Sequence, residues 1–407
     1  MRMGLILGFL LLLLASLANG APEEEWSRTY GGPGHEVGGP ISRAQDGGYV
    51  MTGMTESYGS GNGDLWLVKS DRNGSKLWDL TRGGGGVDVG ESVIAARDGG
   101  YVVAGYTTSF GAGGRDVWLL KTDAEGNLEW ERTFGGPGEE AAWSVEEAPS
   151  GGYVVVGWTD SYGIGKVDLW LIKTDPRGVE EWNRTIGGPG DDEGLAVVAT
   201  RDGGYAIAGR TTSFGVGEED GWLVKTDGLG AKEWARTFGG KGEDGLSSLR
   251  ETEEGYVGAG YSNSFGSEGF EIWLVKADFQ GVEVWNRTAG TPAADFGSSI
   301  EVASDGGYAV VGSTSRAGTR ASPDDALLLK TDPEGRAEWS VLLGGDGIQS
   351  GISVLVAEEG GYIVGGFTNR GSGGGFDLWM TKLGEGRGRS GPIDRAGQDK
   401  GDSSATF

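Results

Sequence analysis

Carboxylates are the side chains through which this sequence could do chemistry. The chain has 407 residues, with 60 Asp and Glu, 34 Lys and Arg, one His (His35) and no Cys, and its formal net charge is −26. The absence of Cys excludes disulfides, thiolate nucleophiles and iron–sulfur ligands, and a single His excludes a multi-histidine metal site. The negative charge argues against a nucleic-acid partner, because phosphates require a basic surface. Two kinds of carboxylate chemistry remain: binding a hard cation such as Ca²⁺, and cleaving a glycosidic bond with a carboxylate pair.

Three consecutive acids in a Gly-rich segment, Asp191, Asp192 and Glu193, are the candidate metal ligands. Carboxylate oxygens of this kind suit Ca²⁺, although the sequence contains no EF-hand loop. Comparable acidic segments recur along the chain. The alternative interpretation is therefore that these acids cap loops or face solvent.

The sequence is built from repeated units, and four residues depart from the residue type found at their position in the other units or lie in a longer loop. They are the candidate ligand-binding residues: Trp158, Arg210, Arg316 and Arg320. Trp158 could stack on a ligand, or it could pack between structural units. Arg210 stands where other units have an aromatic residue, and it could bind an anionic group or form a salt bridge with a neighbouring acid. Arg316 and Arg320 lie in a loop that is longer than its counterparts, which is alternatively a simple insertion.

The elements that position these residues are set by a repeat of about 52 residues. One series of Trp recurs at steps of 51 to 54 residues: Trp26, Trp78, Trp130, Trp182, Trp234, Trp285 and Trp339. A second series is in phase with it: Trp66, Trp118, Trp170, Trp222, Trp273 and Trp379, with Leu327 at the remaining place. Each unit contains four short runs rich in β-branched and aromatic residues, bounded by turn residues, which is typical of strands. A period of this length with four strands predicts propeller blades.

The turns and the chain ends predict how the blades are built and closed. Asp-Gly-Gly, as at residues 46–48, supplies the positive φ of a tight hairpin, and D-x-x-G-x-x-x-W supplies a second hairpin loop in each unit. The last unit stops after its third strand, whereas residues 26–30 form a lone fourth strand at the start. We therefore predict an all-β, seven-bladed β-propeller of four-stranded antiparallel blades, closed by the N-terminal strand completing the last blade.

Features present in every unit are expected to be scaffold. A Lys recurs in all seven units, followed two residues later by Asp in most of them, and we interpret these residues as cross-turn ion pairs. A Gly in each second strand is expected to let two strands approach closely. The loops of one face should gather aromatics and carboxylates around the channel mouth, where aromatic faces bordered by acids suit sugars.

Both ends of the chain differ in composition from the repeats. Residues 1–20 have a basic residue, an apolar run and a small-residue cleavage site, which predicts a signal peptide. We expect the propeller over 21–383 and a flexible polar tail over 384–407. In an exported chain the sequons at Asn73, Asn183 and Asn286 are candidate glycosylation sites.

The units resemble the Asp-Gly-Gly-Tyr type of β-propeller repeat found in secreted and surface proteins. The resemblance rests on W-x-R-T-[YFI]-G-G-P-G, D-G-G-Y, T-x-S-[YF]-G and D-x-W-L-x-K-T-D, and it covers nearly the whole chain after the leader. The stretch K-T-D-x-x-G-x-x-x-W also looks like the Trp-docking repeat of quinoprotein dehydrogenases. Those proteins have eight blades and a quinone pocket with adjacent Cys, so the absence of Cys here argues against that cofactor.

These observations favour a non-enzymatic, secreted or cell-surface propeller that binds a carbohydrate or a protein partner, with Ca²⁺ as a candidate ion. The alternative is a glycoside hydrolase or lyase of propeller fold acting on polysaccharide, because the many acids include pairs of suitable type. A structural element of the cell envelope is a third interpretation. No second apolar run follows residues 4–18, so no membrane span is expected in the mature chain.

Overall fold

The computed structural model describes residues 21–266, 269–315, 325–345, 347–371 and 375–385. In these residues, 28 strands form seven four-stranded antiparallel sheets, which confirms the predicted all-β propeller. The described residues contain no helix with the length and hydropathy needed to cross a bilayer. The predicted signal peptide (1–20) and nearly all of the predicted tail (384–407) lie outside the described residues.

Every blade has the same strand order from the channel outwards. The innermost strands are β2 (Glu36–Arg43), β6 (Asp88–Ala95), β10 (Glu140–Glu147), β14 (Asp192–Ala199), β18 (Asp244–Glu251), β22 (Ala294–Val302) and β26 (Gln349–Val356). The second strands are β3 (Tyr49–Thr55), β7 (Tyr101–Thr107), β11 (Tyr153–Thr159), β15 (Tyr205–Thr211), β19 (Tyr256–Ser262), β23 (Tyr308–Ser315) and β27 (Tyr362–Thr368).

The outer half of each blade consists of a buried third strand and a more exposed fourth strand. The third strands are β4 (Asp64–Ser70), β8 (Asp116–Thr122), β12 (Asp168–Thr174), β16 (Asp220–Thr226), β20 (Glu271–Ala277), β24 (Asp325–Thr331) and β28 (Asp377–Leu383). The fourth strands are β1 (Glu24–Tyr30), β5 (Lys76–Arg82), β9 (Leu128–Phe134), β13 (Glu180–Ile186), β17 (Lys232–Phe238), β21 (Glu283–Ala289) and β25 (Ala337–Leu343).

The N-terminal strand closes the ring, as predicted. β1 pairs antiparallel with β28, with Trp26 opposite Lys382 and Tyr30 opposite Leu378. The Trp379 indole also donates a hydrogen bond of 2.7 Å to the Ser27 hydroxyl. This pairing covers the outer edge of β28, which would otherwise present unpaired backbone groups.

The two most regular sequence motifs meet at the junctions between blades. The fourth-strand Trp of one blade lies against the Tyr of the next Asp-Gly-Gly-Tyr motif: Trp78 and Tyr101 have ring centroids 5.7 Å apart, and Trp182 and Tyr205 are 6.1 Å apart. The Arg of W-x-R lies over the same Trp, as Arg184 does over Trp182 at 5.2 Å. The period is therefore strict because each blade must fit the next one around the ring.

The recurring Lys belongs to the scaffold, but the predicted partner two residues later is wrong. The buried Lys69 ammonium lies 2.8 Å from a carboxylate oxygen of Asp46 in the Asp-Gly-Gly turn. Asp71 instead accepts backbone N–H bonds from Asn73 and Ser75 and so caps its own turn. The Lys must be neutralised where it is buried, and the Asp-Gly-Gly turn, unlike the hairpin that Asp71 caps, brings a carboxylate to that point.

Candidate functional site

Two series of carboxylates converge on one face of the propeller, where the innermost and third strands begin. Asp88 at the start of β6 accepts hydrogen bonds from the Ser109 hydroxyl at 2.6 Å and the Gly84 backbone N–H at 2.8 Å. Asp168 at the start of β12 accepts backbone N–H bonds from Ile164 and Gly165 in the preceding loop. The acids of this face therefore hold its loops in place by hydrogen bonds. This agrees with the interpretation that they cap loops.

The loop aromatics of the same face are equally part of the scaffold. Each packs on the third-strand Trp of its own blade, with ring centroids 5.5 to 5.9 Å apart: Tyr58 on Trp66, Phe110 on Trp118, Tyr162 on Trp170, Phe214 on Trp222 and Phe265 on Trp273. Their outer edges stay partly exposed around the rim.

The three predicted metal ligands point into different surroundings. Asp192 is fully buried and bonds to Thr211, to the Ser213 hydroxyl and to the Gly188 N–H. Glu193 pairs with Arg210, and Asp191 lies at the more exposed end of the loop. Within the described ranges, no three Asp, Glu or His side chains surround a common point that could hold a metal ion. A metal role for these residues stays a prediction.

A pocket of about 420 Å³ opens where the inner strands of five blades meet. Four of its residues occupy the bulge of their inner strand, where the register shifts by one residue: Trp143, Leu195, Ser247 and Ser298. A bulge turns an extra side chain out of the ladder, and here it turns that side chain towards the centre of the ring. The pocket is lined by Trp143, Glu193, Leu195, Arg210, Ser247, Tyr261, Phe296, Gly297, Ser298, Ser313, Ser315 and Ser350.

Arg210 is the polar centre of this axial pocket. Its guanidinium lies 2.8 Å from Glu193 and 3.2 Å from Glu219, and the Tyr261 hydroxyl donates a 2.6 Å hydrogen bond to Glu219. Burial would lower the pKa of Arg210, but the negative charges of Glu193 and Glu219 and the adjacent Tyr261 outweigh burial and raise it. The Arg210 guanidinium is thus neutralised by two carboxylates where it is partly buried.

Aromatic side chains form one wall of the pocket. The rings of Tyr261 and Phe296 have centroids 5.9 Å apart, and Phe270 lies 4.9 Å from Phe296 and 6.0 Å from Tyr261. Such a cluster is rigid and offers apolar ring surface beside hydrogen-bonding groups. Serine hydroxyls supply much of the remaining lining, and those of Ser313 and Ser350 lie 2.8 Å apart.

The structure brings only one of the predicted ligand residues into this pocket. Arg210 lines it in a salt bridge, which was the alternative offered for that residue. Trp158 is at the equivalent place one blade earlier, outside the pocket lining, with the Arg115 guanidinium 6.0 Å from its ring and 4.2 Å from that of Tyr106. Arg316 and Arg320 lie outside the described residues.

The three candidate glycosylation sites lie at the surface. Asn73 is in an exposed turn before β5, and Asn183 is exposed on the outer strand β13. Asn286 is half-buried on β21, and its side-chain amide donates a 2.6 Å hydrogen bond to Glu283. Their modification stays a prediction.

Sequence reasoning missed the partners that complete the pocket, above all Glu219, Tyr261 and Phe296. The signal was available at Glu219, since the residue before each third strand differs from blade to blade. The sequence could not show that side chains from five blades meet in one pocket, because no local sequence pattern relates residues of different blades.

The comparisons with known proteins support the fold and leave the family open. No protein-family model matches this chain. The regulatory protein FlaEY of Caulobacter vibrioides is 26% identical over 211 residues, an alignment that covers 43% of this chain and 22% of FlaEY. The chain thus matches about a fifth of the length of that relative.

Solved propeller structures align with most of the chain at low identity. The Pan2 WD40 domain of Neurospora crassa has a TM-score of 0.54 at 11% identity, covering 89% of this chain and 96% of that domain. Sqt1 of Chaetomium thermophilum has a TM-score of 0.50 at 15% identity, covering 91% and 87%. Quinohemoprotein alcohol dehydrogenase ADHIIG of Pseudomonas putida HK5 has a TM-score of 0.46 at 11% identity, covering 87% and 67%. Fold and strand order thus define the chain as a seven-bladed β-propeller protein.

Proposed function

We propose that this protein is an exported propeller that binds a carbohydrate in the axial pocket. The observation that supports the proposal most directly is the Arg210–Glu193–Glu219–Tyr261 cluster, which lies beside the ring of Phe296. A sugar offers apolar C–H faces and a fixed array of hydroxyls. Aromatic ring surface beside fixed donors and acceptors matches both.

The polar groups of the cluster are fixed before any ligand arrives. Arg210 is held by two carboxylates and Glu219 by a phenol, so these side chains lose little conformational freedom on binding. Five serine side chains, those of Ser247, Ser298, Ser313, Ser315 and Ser350, add hydroxyls that can donate or accept. A pocket of about 420 Å³ accommodates one or two sugar rings.

Charge further selects the class of sugar. Because two carboxylates already neutralise the Arg210 guanidinium, it offers little attraction to an acidic sugar. Neutral sugars and amino sugars are therefore the expected ligands, and uronic acids are not. The expected ligand therefore differs from the anionic group that the sequence alone suggested for Arg210.

The test is a binding assay against a glycan panel containing neutral, amino and uronic sugars, with and without Ca²⁺, followed by titration calorimetry of the binders. Trp143→Leu introduces the residue that the next blade has at this position, Leu195, so it should fold normally and weaken binding about tenfold or more. Trp158→Tyr, on the second strand of the same blade and outside the pocket lining, is the control and should leave affinity unchanged. Failure of every glycan to bind, or equal loss in both variants, would contradict the proposal.

Two other outcomes would replace the carbohydrate-binding proposal with a different function. New reducing ends released from a polysaccharide, and lost in Glu219→Gln, would identify a glycoside hydrolase. Saturable capture of a protein through the same pocket, abolished by Trp143→Leu, would identify a protein partner instead. Export is tested separately: intact mass of the chain recovered from the culture medium should correspond to cleavage after Gly20.

A further inference from the structure

We propose that four of the junctions between blades are proton-binding sites, in each of which two buried carboxyl groups share one proton. Each site pairs the acid that begins a third strand with the acid that begins the next innermost strand. The inference is independent of the ligand in the axial pocket, because these acids lie between the blades and do not line it.

The pair formed by Asp64 and Asp88 shows the arrangement. Asp64 is 2% exposed and Asp88 is fully buried. Both approach Gly83, the first Gly of the loop that connects the two blades: a Cβ at Gly83 would lie within 3.0 Å of Oδ1 of Asp64 and of Oδ2 of Asp88. Only Gly leaves room for both carboxyl groups at this point.

The same arrangement recurs at three other junctions. There, too, a Cβ on the first Gly of the loop would lie within 3.0 Å of one oxygen from each acid, at Gly31, Gly135 and Gly239. The corresponding pairs are Asp377 with Glu36, Asp116 with Glu140, and Asp220 with Asp244. A feature that recurs at four junctions is part of how the ring is assembled.

Hydrogen-bond donors identify the ionised member. Both oxygens of Asp88 accept bonds, from the hydroxyls of Thr107 and Ser109 and from the Gly84 N–H. Donors on both oxygens stabilise a carboxylate, so Asp88 carries the negative charge. Its counterparts Glu36 and Glu140 likewise accept Thr hydroxyl and Gly N–H bonds.

The proton is then required on the other member. Oδ2 of Asp64 accepts the Ser60 N–H at 2.7 Å, whereas Oδ1 is buried and has no hydrogen-bond partner. A lone buried acceptor facing a second carboxylate is costly. If Oδ1 carries the proton, it becomes a donor, and Oδ2 of Asp88 is the acceptor next to it. The pair then has one negative charge and no unsatisfied oxygen.

The charges around three of the pairs agree with this assignment. The charged group that acts on Asp64 is Asp88, and on Asp220 it is Asp244; among the described residues, no Lys or Arg forms an ion pair with these four acids. Burial, reinforced by that neighbour, raises the pKa of both Asp64 and Asp220. At the Asp377–Glu36 junction, burial again raises the pKa of Asp377, and a hydrogen bond between the two carboxyl groups adds to the effect.

The junction that precedes β26 has an uncharged side chain in place of one acid. Gln349 begins β26 where the other innermost strands begin with or next to an acid, and it is 6% exposed. Its amide is the uncharged counterpart of a protonated Glu. This junction therefore holds one carboxyl group, that of Asp325, and one neutral side chain by sequence, where the four pairs reach the same combination by holding a proton.

The first experiment is infrared difference spectroscopy of the full chain at pH 7, comparing the wild type with a fourfold variant, Asp64→Asn, Asp116→Asn, Asp220→Asn and Asp377→Asn. The wild type should show the C=O stretch of protonated carboxylic acids, and the variant should lose most of that band while staying folded. Potentiometric unfolding at pH 7 should release about one proton per pair in the wild type, and about four fewer in the variant.

Single substitutions at one junction keep the proposal testable if the fourfold variant does not fold. Asp64→Asn replaces the protonated member by its neutral isostere and should raise the melting temperature at pH 8 by about 1–3 °C, with much less change at pH 4. Asp88→Asn removes the ionised acceptor and should lower it at both values. A pH-independent effect of Asp64→Asn, or absence of the protonated band in the wild type, would overturn the proposal. So would a melting temperature that falls on chelation and recovers with Ca²⁺, because a cation would then occupy the place of the proton.

Discussion

Glu193 and Arg210 face each other as register partners on β14 and β15, and their side chains form an ion pair of 2.8 Å at the mouth of the channel. In the second blade the corresponding partners are Val89 and Tyr106, which form no ion pair. The fourth blade has thus exchanged an apolar–aromatic pair for a charged one at the same place in the same scaffold.

That exchange predicts how the pair responds to substitution. Glu193→Val alone should leave Arg210 with one carboxylate partner, and Arg210→Tyr alone should leave two carboxylates without a cation, costing about 1–3 kcal/mol. The double substitution restores the second-blade pair and should recover part of that loss. A double-mutant cycle by chemical denaturation measures the coupling, and strictly additive losses would show that the two side chains do not interact.

The closing strand should dominate the stability of the ring. Deleting residues 22–32 removes β1 and exposes the edge of β28, so the melting temperature should fall by roughly 10 °C or more. Glu24→Ala, on the same strand and exposed, is the control and should change it little. Calorimetry measures the melting temperatures of the two variants. If the deletion variant has the same melting temperature as the control, the stability of the ring does not depend on β1.

The turn aspartates should stabilise the fold through the buried Lys. Burial opposes ionisation of Asp202, but hydrogen bonds from Thr200, Lys225 and the Gly204 N–H lower its pKa to about 2. A lowered pKa contributes stability above the unfolded value near 4, and that contribution is lost as the pH falls towards 2. Asp202→Asn should therefore cost about 1 kcal/mol at pH 7, allowing for solvent screening of this exposed carboxylate, and almost nothing at pH 2.

Urea unfolding at the two pH values measures this difference. Asp123→Asn is a useful comparison, since Asp123 caps its own turn and forms no ion pair with the buried Lys121. Equal losses for Asp202→Asn at pH 7 and pH 2 would rule out the electrostatic explanation.

Glu91 should have the opposite pH dependence. It occupies the bulge of the inner strand β6, and burial raises its pKa to about 7, against a smaller lowering by Arg115. A raised pKa means that the stability is present at low pH and is lost as the pH rises from about 4.5 through 7. Glu91→Gln should therefore be more stable than the wild type at pH 8, by about 2 kcal/mol, and equal to it near pH 4.

Thermal melts across this range test the prediction for Glu91. Glu125→Gln, in an exposed turn, is the control and should follow the wild-type curve. If Glu91→Gln also follows that curve, the Glu91 carboxyl group is ionised throughout and solvated.

Most of the fold could be predicted from the sequence because its determinants are local or periodic. Trp78 and Tyr101 belong to motifs that recur at the blade junctions, and the isolated strand around Trp26 is sufficient by itself to predict the closure. The partner of Lys69 was mispredicted because Asp71 is closer in sequence, whereas the Asp46 turn is closer in space. The pocket could not be predicted from the sequence for a different reason. Trp143, Arg210 and Phe296 lie on three blades, and only the closed ring brings them together.

The closure by β1 also sets the order in which the molecule can form. The first strand of the ring to leave the ribosome, β1, pairs with the last, β28, so the propeller cannot be completed before all seven blades have been made. Until β28 appears, β1 has no strand to pair with, and the outer edge of β27 stays open. A chain interrupted anywhere before residue 377 therefore cannot close into a ring, and it exposes strand edges by which proteases and chaperones can distinguish it from the finished product.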